Sequence, residues 1–326
     1  MLTFSDLFWK QKEQKNNLRT TFWMEKQHLG HDIQHEVLGL ASRLYSLGVG
    51  PKKLVAMHHN TMQGLWVEWA VWLLGGGIVF WESDSDITTV CQLLEDKEVS
   101  HIIVENEGWY LDNEEQIEEL YDVVHILCLN YSEEMVPLTP ASYDEEKLCS
   151  IVKNVDIFDD IAWVYIDAQR KESIVLHKEL LDEAYRIDPN VSIHVPINNL
   201  HQLRHIVGKY IFTNPVYFYE QLSFSYTNTD VCFVDGEFIS QFVSLIQKTN
   251  ATTKIGIYAL QWYILLLQQL VHATNPSKRV HLQLLFLKKI IGSIIRDNIG
   301  DPLFVFIEKG PGNEVCYIDI RTRYPV

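Results

Sequence analysis

The residues of this chain best suited to meeting a phosphate fall in one short segment, Asp167-Ala168-Gln169-Arg170-Lys171-Glu172. Arg170 and Lys171 carry the right charge for an anion, with Asp167 and Gln169 beside them. Phosphates, however, are held chiefly by converging backbone N–H groups. That demands a close approach and positive φ, which glycine permits and bulkier residues resist. The segment has no glycine, and Asp167 and Glu172 put two carboxylates where a polyanion would sit. The simpler reading is a charged turn between two strands.

Metal chemistry finds similarly thin support. His28, His31 and His35, with Asp32, contain an i, i+4 pair on one helical face, yet no second cluster with ligand spacing accompanies them, and polar residues at a helix start explain the group equally well. His201 and His205 repeat the spacing alone. Asp84, Asp86, Thr88 and Glu95 mimic a calcium loop, but Thr89 stands where that loop needs glycine for its turn. The chain has no G-x-S-x-G, G-x-G-x-x-G or G-x-x-x-x-G-K-[ST] run. Cys232, near Asp235, has no histidine close in sequence and reads as a buried thiol. The expectation is no catalytic residue, no metal and no cofactor.

The elements around these residues follow from hydrophobic period. Ile33, Val37, Leu40, Ala41, Leu44 and Leu47 share one helical face, and Gly48 ends it. Apolar runs at 126–129, 161–166, 173–176, 191–195, 231–234 and 303–307 read as strands, alternating with segments of helical period. That alternation is the mark of an α/β domain with a largely parallel sheet. Residues 105–122 hold 8 acidic side chains and no Lys or Arg, with Ile117, Leu120 and Tyr121 as a single anchoring stripe on a solvated helix. The stretch 140–157 is the best candidate for a soft join within one body, 1–326. Residues 255–270 read as a strand end and a buried helix.

Several of these segments resemble the acyl-adenylate-forming superfamily, which includes acyl-CoA synthetases and the adenylation domains of peptide synthetases. The 33–47 helix followed by Gly48-Val49-Gly50-Pro51, a strand at 53–57 with Asn60 after it, a helix at 66–74 ended by Gly75-Gly76-Gly77, strands at 78–80 and 100–104, and Thr253-Lys254-Ile255-Gly256-Ile257-Tyr258 before a helix all fit its order. The basic helix at 288–299 leading through Gly300-Asp301-Pro302 to a strand is similar to long-chain acyl-CoA synthetases. The resemblance implies stacked mixed and parallel sheets with flanking helices, like the large N-terminal domain of those enzymes, without the small C-terminal domain. It also implies that 167–172 occupies the place of the phosphate loop, shortened and stripped of glycine, and that Tyr258, Ala259 and Trp262 stand where the family walls its acyl tunnel. The plainer reading of these three is core packing.

Composition narrows the partners. The chain has 326 residues, is 47% apolar and 21% charged, and carries a net charge of −16, which opposes nonspecific nucleic-acid binding and docking on anionic lipid. Residues 271–326 hold 8 Lys/Arg against 5 Asp/Glu, a net of +3 that leaves −19 for the remainder. Cys91, Cys128, Cys149, Cys232 and Cys316 are odd in number and form no C-x-x-C pair, as expected of reduced cytoplasmic thiols. No stable membrane insertion is expected, since the most apolar stretch is short and interrupted by Gln261, Gln268 and Gln269.

These readings converge on a truncated, catalytically silent relative of acyl-CoA synthetases. Its role would be that of a binding or regulatory subunit, with a carrier protein, an intact adenylating enzyme or a second copy of itself as partner. Two alternatives stay open: an acyl- or aryl-chain carrier using a remnant tunnel, and a split ligase completed by another chain.

Overall fold

The computed structural model describes residues 4–13, 21–23, 26–58, 61–81, 87–119, 125–129, 135–153, 160–166, 172–179, 191–196, 214–219, 230–234, 258–259, 262, 265, 283, 303–307 and 315–318. The chain forms two compact units. Unit 1 takes Met1–Ile187 and Leu203–Asn214, and unit 2 takes Asp188–Gln202 and Pro215–Val326.

Unit 1 opens with helix α1 (Phe4–Glu13), a hairpin of β1 (Thr21–Trp23) and β2 (Lys26–His28), and helix α2 (Gly30–Ser46). Then come β3 (Leu54–His58), α3 (Met62–Leu73), β4 (Gly77–Trp81), α4 (Ile87–Asp96), β5 (His101–Val104), α5 (Glu107–Leu111), α6 (Glu114–Glu118), β6 (His125–Cys128), β7 (Val136–Pro137), α7 (Glu145–Lys153), β8 (Ile161–Ile166) and β9 (Glu172–Leu176). The main sheet runs β7-β6-β5-β3-β4-β8-β9, parallel throughout except for antiparallel β9.

Both faces of this sheet are covered, so its strands read as continuous apolar runs, as fully buried parallel strands do. β4 and β5 are buried at every position. By the period of two, Ala56, Val79, Trp81, Ile102, Val104 and Val164 form one core with Val90, Cys91 and Leu94 of α4 and Ile117 of α6. On the opposite face His101 Nε2 donates to Leu47 O at 2.9 Å, and Trp72 Nε1 of α3 donates to Ala162 O of β8 at 2.8 Å.

Helix α3 is apolar nearly all round, which suits a helix with no solvent face. Leu65, Trp69, Trp72 and even Glu68 are fully buried, while Phe4 of α1 packs against Trp69 and Trp72 and Phe8 stacks on Phe4. It begins four residues before the expected 66, because Thr61 caps it by accepting from Gly64 N at 3.2 Å.

Two expectations need correction. The acidic segment is not one helix but two short ones, α5 and α6, broken at Asp112 and Asn113. Asn113 Nδ2 donates back to Trp109 O at 2.7 Å, closing α5, and Asn113 itself stands at the cap of α6. Ile117 is buried as its anchor, while Leu120 and Tyr121 lie outside the described residues. The 255–270 helix is helical at its described positions, but Tyr258, Trp262 and Leu265 are exposed rather than buried. Their i, i+4, i+7 spacing lines one face, while Ala259, about a quarter-turn round the helix, is covered.

The start of the 140–157 stretch packs on α2: Ala141 N donates to Gly39 O at 3.0 Å and Ser42 Oγ to Ser142 O at 2.9 Å. Unit 2 pairs β10 (Ser192–Pro196), β11 (Val216–Tyr219), β12 (Asp230–Val234), β13 (Leu303–Ile307) and β14 (Val315–Ile318) in the order β14-β13-β12-β10-β11, with β13 and β14 antiparallel and the other pairs parallel.

Candidate functional site

Open α/β sheets take ligands beyond the carboxyl ends of their strands, where the winding reverses. In unit 1 the chain moves from β3 to β4 on one side and through β5, β6 and β7 on the other, so that reversal lies between β3 and β5. Its described rim is largely apolar. Trp81 ends β4 and tilts against Trp109 of α5 at 5.7 Å, and Cys128 Sγ at the end of β6 reaches Glu105 O at 3.7 Å. The connections at 59–60, 82–86, 130–134 and 167–171 lie outside the described residues, and Asp167, Gln169, Arg170 and Lys171 lie among them.

What the structure fixes is the frame of that last connection. β8 and β9 form an antiparallel hairpin in which Ile166 pairs with Glu172, so residues 167–171 alone span the turn. Glu172 is engaged: Lys97, just past α4, places Nζ 2.6 Å from its Oε2, with both side chains largely buried. A carboxylate read from sequence as facing a would-be anion is thus committed to a cation of the same chain. Lys97 carried no sequence signal for this, since the pair spans two elements remote in sequence.

At the opposite, amino ends of β4 and β8 sits a second polar cluster. Gly75, at φ 75, ends α3, and its left-handed turn delivers Gly76 and Gly77 to the start of β4. A Cβ on Gly77 would run into Ile161 O and come within 2.6 Å of Leu54 Cδ2, so only glycine lets β4 and β8 lie this close. His177, fully buried after β9, bonds through Nε2 to Gly76 O at 3.0 Å. A carbonyl only accepts, so Nε2 carries the proton and Nδ1, which has no hydrogen-bond partner, is bare. Burial pushes this imidazole down to about 4 despite the opposing pull of the Gly76 and Gly75 carbonyls. Its backbone N–H is held by Asp160 O at 3.0 Å, and Lys52 Nζ lies 4.0 Å from Asp160 Oδ1.

His101 behaves alike. Its Nε2–H goes to Leu47 O, so Nδ1 accepts from Ser100 Oγ at 2.7 Å, and burial lowers its pKa against the raising effect of that carbonyl, with His125 and Lys53 adding to the fall. Both histidines are neutral bolts between backbone segments. Neither the burial of His177 nor that of His101 could be read from a lone histidine at a strand end.

The histidine group near α2 disperses. His31 Nε2 contacts Asp32 Oδ1 at 2.8 Å, His35 Nδ1 meets Tyr143 Oη at 2.9 Å, and His28 packs edge-on to Trp66. Among the described residues no group of three or more His, Cys, Asp or Glu is placed to hold a metal. His201, His205, Asp84, Asp86 and Asp235 lie outside them. In unit 2, Tyr258 is 66% and Trp262 57% exposed, while Ala259 is 7% exposed.

No family model and no curated protein matches the chain. Solved structures do match. A putative long-chain-fatty-acid CoA ligase from Rhodopseudomonas palustris aligns at 14% identity and TM-score 0.57 over 74% of this chain and 65% of that one. Coronafacic acid ligase from Pectobacterium brasiliense gives 12% and 0.58 over 78% and 54%. The amide bond synthetase McbA from Marinactinospora thermotolerans gives 16% and 0.56 over 74% and 49%. The fold is therefore that of the N-terminal domain of acyl-adenylate-forming enzymes, and the match spans between about half and just under two thirds of these structures.

Proposed function

We propose that this chain is a non-catalytic relative of acyl-adenylate-forming enzymes, acting as a binding or regulatory partner in an acyl-activation or carrier-protein pathway. The observation that carries this reading is the β8–β9 hairpin. Where this fold would need a phosphate cradle, five residues without glycine bridge Ile166 and Glu172, and Glu172 is already tied to Lys97. A five-residue connection without glycine, carrying Asp167, Arg170 and Lys171, is poorly suited to bringing several N–H groups onto one triphosphate. Loss of a single preorganised donor lowers a rate by roughly 10²–10³, so loss of a whole cradle removes useful adenylation.

The test is a pyrophosphate-exchange assay with fatty, aryl and amino acids, paired with calorimetric titration of ATP. Neither exchange nor binding heat is expected. Exchange above background, or a soaked crystal with ATP or acyl-adenylate seated against 166–172, overturns the reading. Native mass spectrometry showing a retained lipid would turn the assignment to an acyl-chain carrier in which Tyr258, Ala259 and Trp262 wall the site.

A further inference from the structure

The two edges of the unit 1 sheet are treated differently. β7 is only two residues long and ends in Pro137, which has no N–H to offer, and short or proline-blocked edges resist pairing. β9 is five residues, Glu-Ser-Ile-Val-Leu, at the other edge of the same sheet. His177 N–H points inward to Asp160 O, whereas Leu176 N–H points off the sheet to Glu179 Oε2 at 3.0 Å. By the alternation of an antiparallel strand, the N–H and C=O groups of Glu172, Ile174 and Leu176 therefore face outward.

Ile174, at the middle, is 46% exposed. The strand has no lysine to repel a neighbour, and its one charge, Glu172, is neutralised from within by Lys97. We infer that the outer edge of β9 is a strand-pairing surface whose occupant is β9 of a second copy of this chain. A twofold axis at Ile174 sets Ile174 against its equivalent and Glu172 against Leu176 of the partner subunit, using every outward group of the strand in about six backbone hydrogen bonds. Closed twofold pairing is also the commonest way a chain meets itself. Glu179 acts as a competing cap, since it must release Leu176 N–H for the ladder to complete. The inference stands whether or not the chain activates acids.

Sedimentation equilibrium over a concentration series tests it. The wild type should move from one-chain to two-chain mass. Ile174→Lys adds an edge charge and Ile174→Pro removes an outward N–H without touching the bonds to β8, and both should stay monomeric with unchanged circular dichroism. Glu179→Ala, which frees one donor, should tighten the dimer by about threefold to tenfold. A wild type that is monomeric throughout, a dimer that survives Ile174→Lys, or a dimer weakened by Glu179→Ala overturns the inference.

Discussion

His177 is neutral in the fold because desolvation holds its pKa near 4 against 6.5 for a free imidazole. Above pH 6.5 neither the folded nor the unfolded chain protonates it. As pH falls from 6.5 toward 4 the unfolded chain takes up the proton and the folded one does not, so stability drops across that window, by up to about 3 kcal/mol from this group. Below pH 4 both states are protonated and the loss from this group stops growing. Chemical denaturation at pH 7, 5.5 and 4 should show this fall, and His177→Gln, which keeps a donor for Gly76 O, should flatten it. Trp72 offers a second residue-scale test. Trp72→Phe deletes the bond to Ala162 O and leaves a buried carbonyl unmet, so urea midpoints should report a loss of about 1–3 kcal/mol with the fold retained.

Elements respond through their contacts. Gly77→Ala forces β4 away from Ile161 at the start of β8, and an overpacked pair of central strands typically costs about 1–3 kcal/mol; a thermal melt should show it, with Gly50→Ala, which meets open space, as the mild control. Strand existence was legible because buried parallel strands are plain apolar runs: β6, β8 and β12 fall within a residue of where the apolar runs alone place them. The split of α5 from α6 was not, because it turns on one Asn113 side chain folding back on Trp109 O. Nor was the fate of Glu172, whose Lys97 partner arrives by tertiary packing. The glycine-free hairpin, by contrast, was readable from residue types alone, since backbone reach depends on which residues are present.

At the scale of the molecule, a likeness at 12–16% identity carries the architecture alone, since chemistry belongs to sites grafted on a fold. No helix among the described residues is long and apolar enough to cross a membrane. Thiol accessibility gives a global measure of native packing. Among the described side chains Cys91, Cys128 and Cys232 are buried and Cys149 is half-buried, none of them in a disulfide. In a timed labelling experiment Cys149 should react before the three buried thiols, which should react only at the rate of unfolding; early modification of Cys128 would contradict the packed rim at Glu105.

Helix α3 carries a consequence for the chain as it is made. Its Trp72 waits for Ala162, 90 residues downstream, before that side of the helix is covered. At ribosomal rates of about 5–20 residues per second, a tryptophan-rich, nearly all-apolar helix stays uncovered for roughly 5–20 seconds. During that interval the nascent protein presents a prime landing place for ribosome-associated chaperones, and its yield in a cell should depend on them more than on the final stability of the native state.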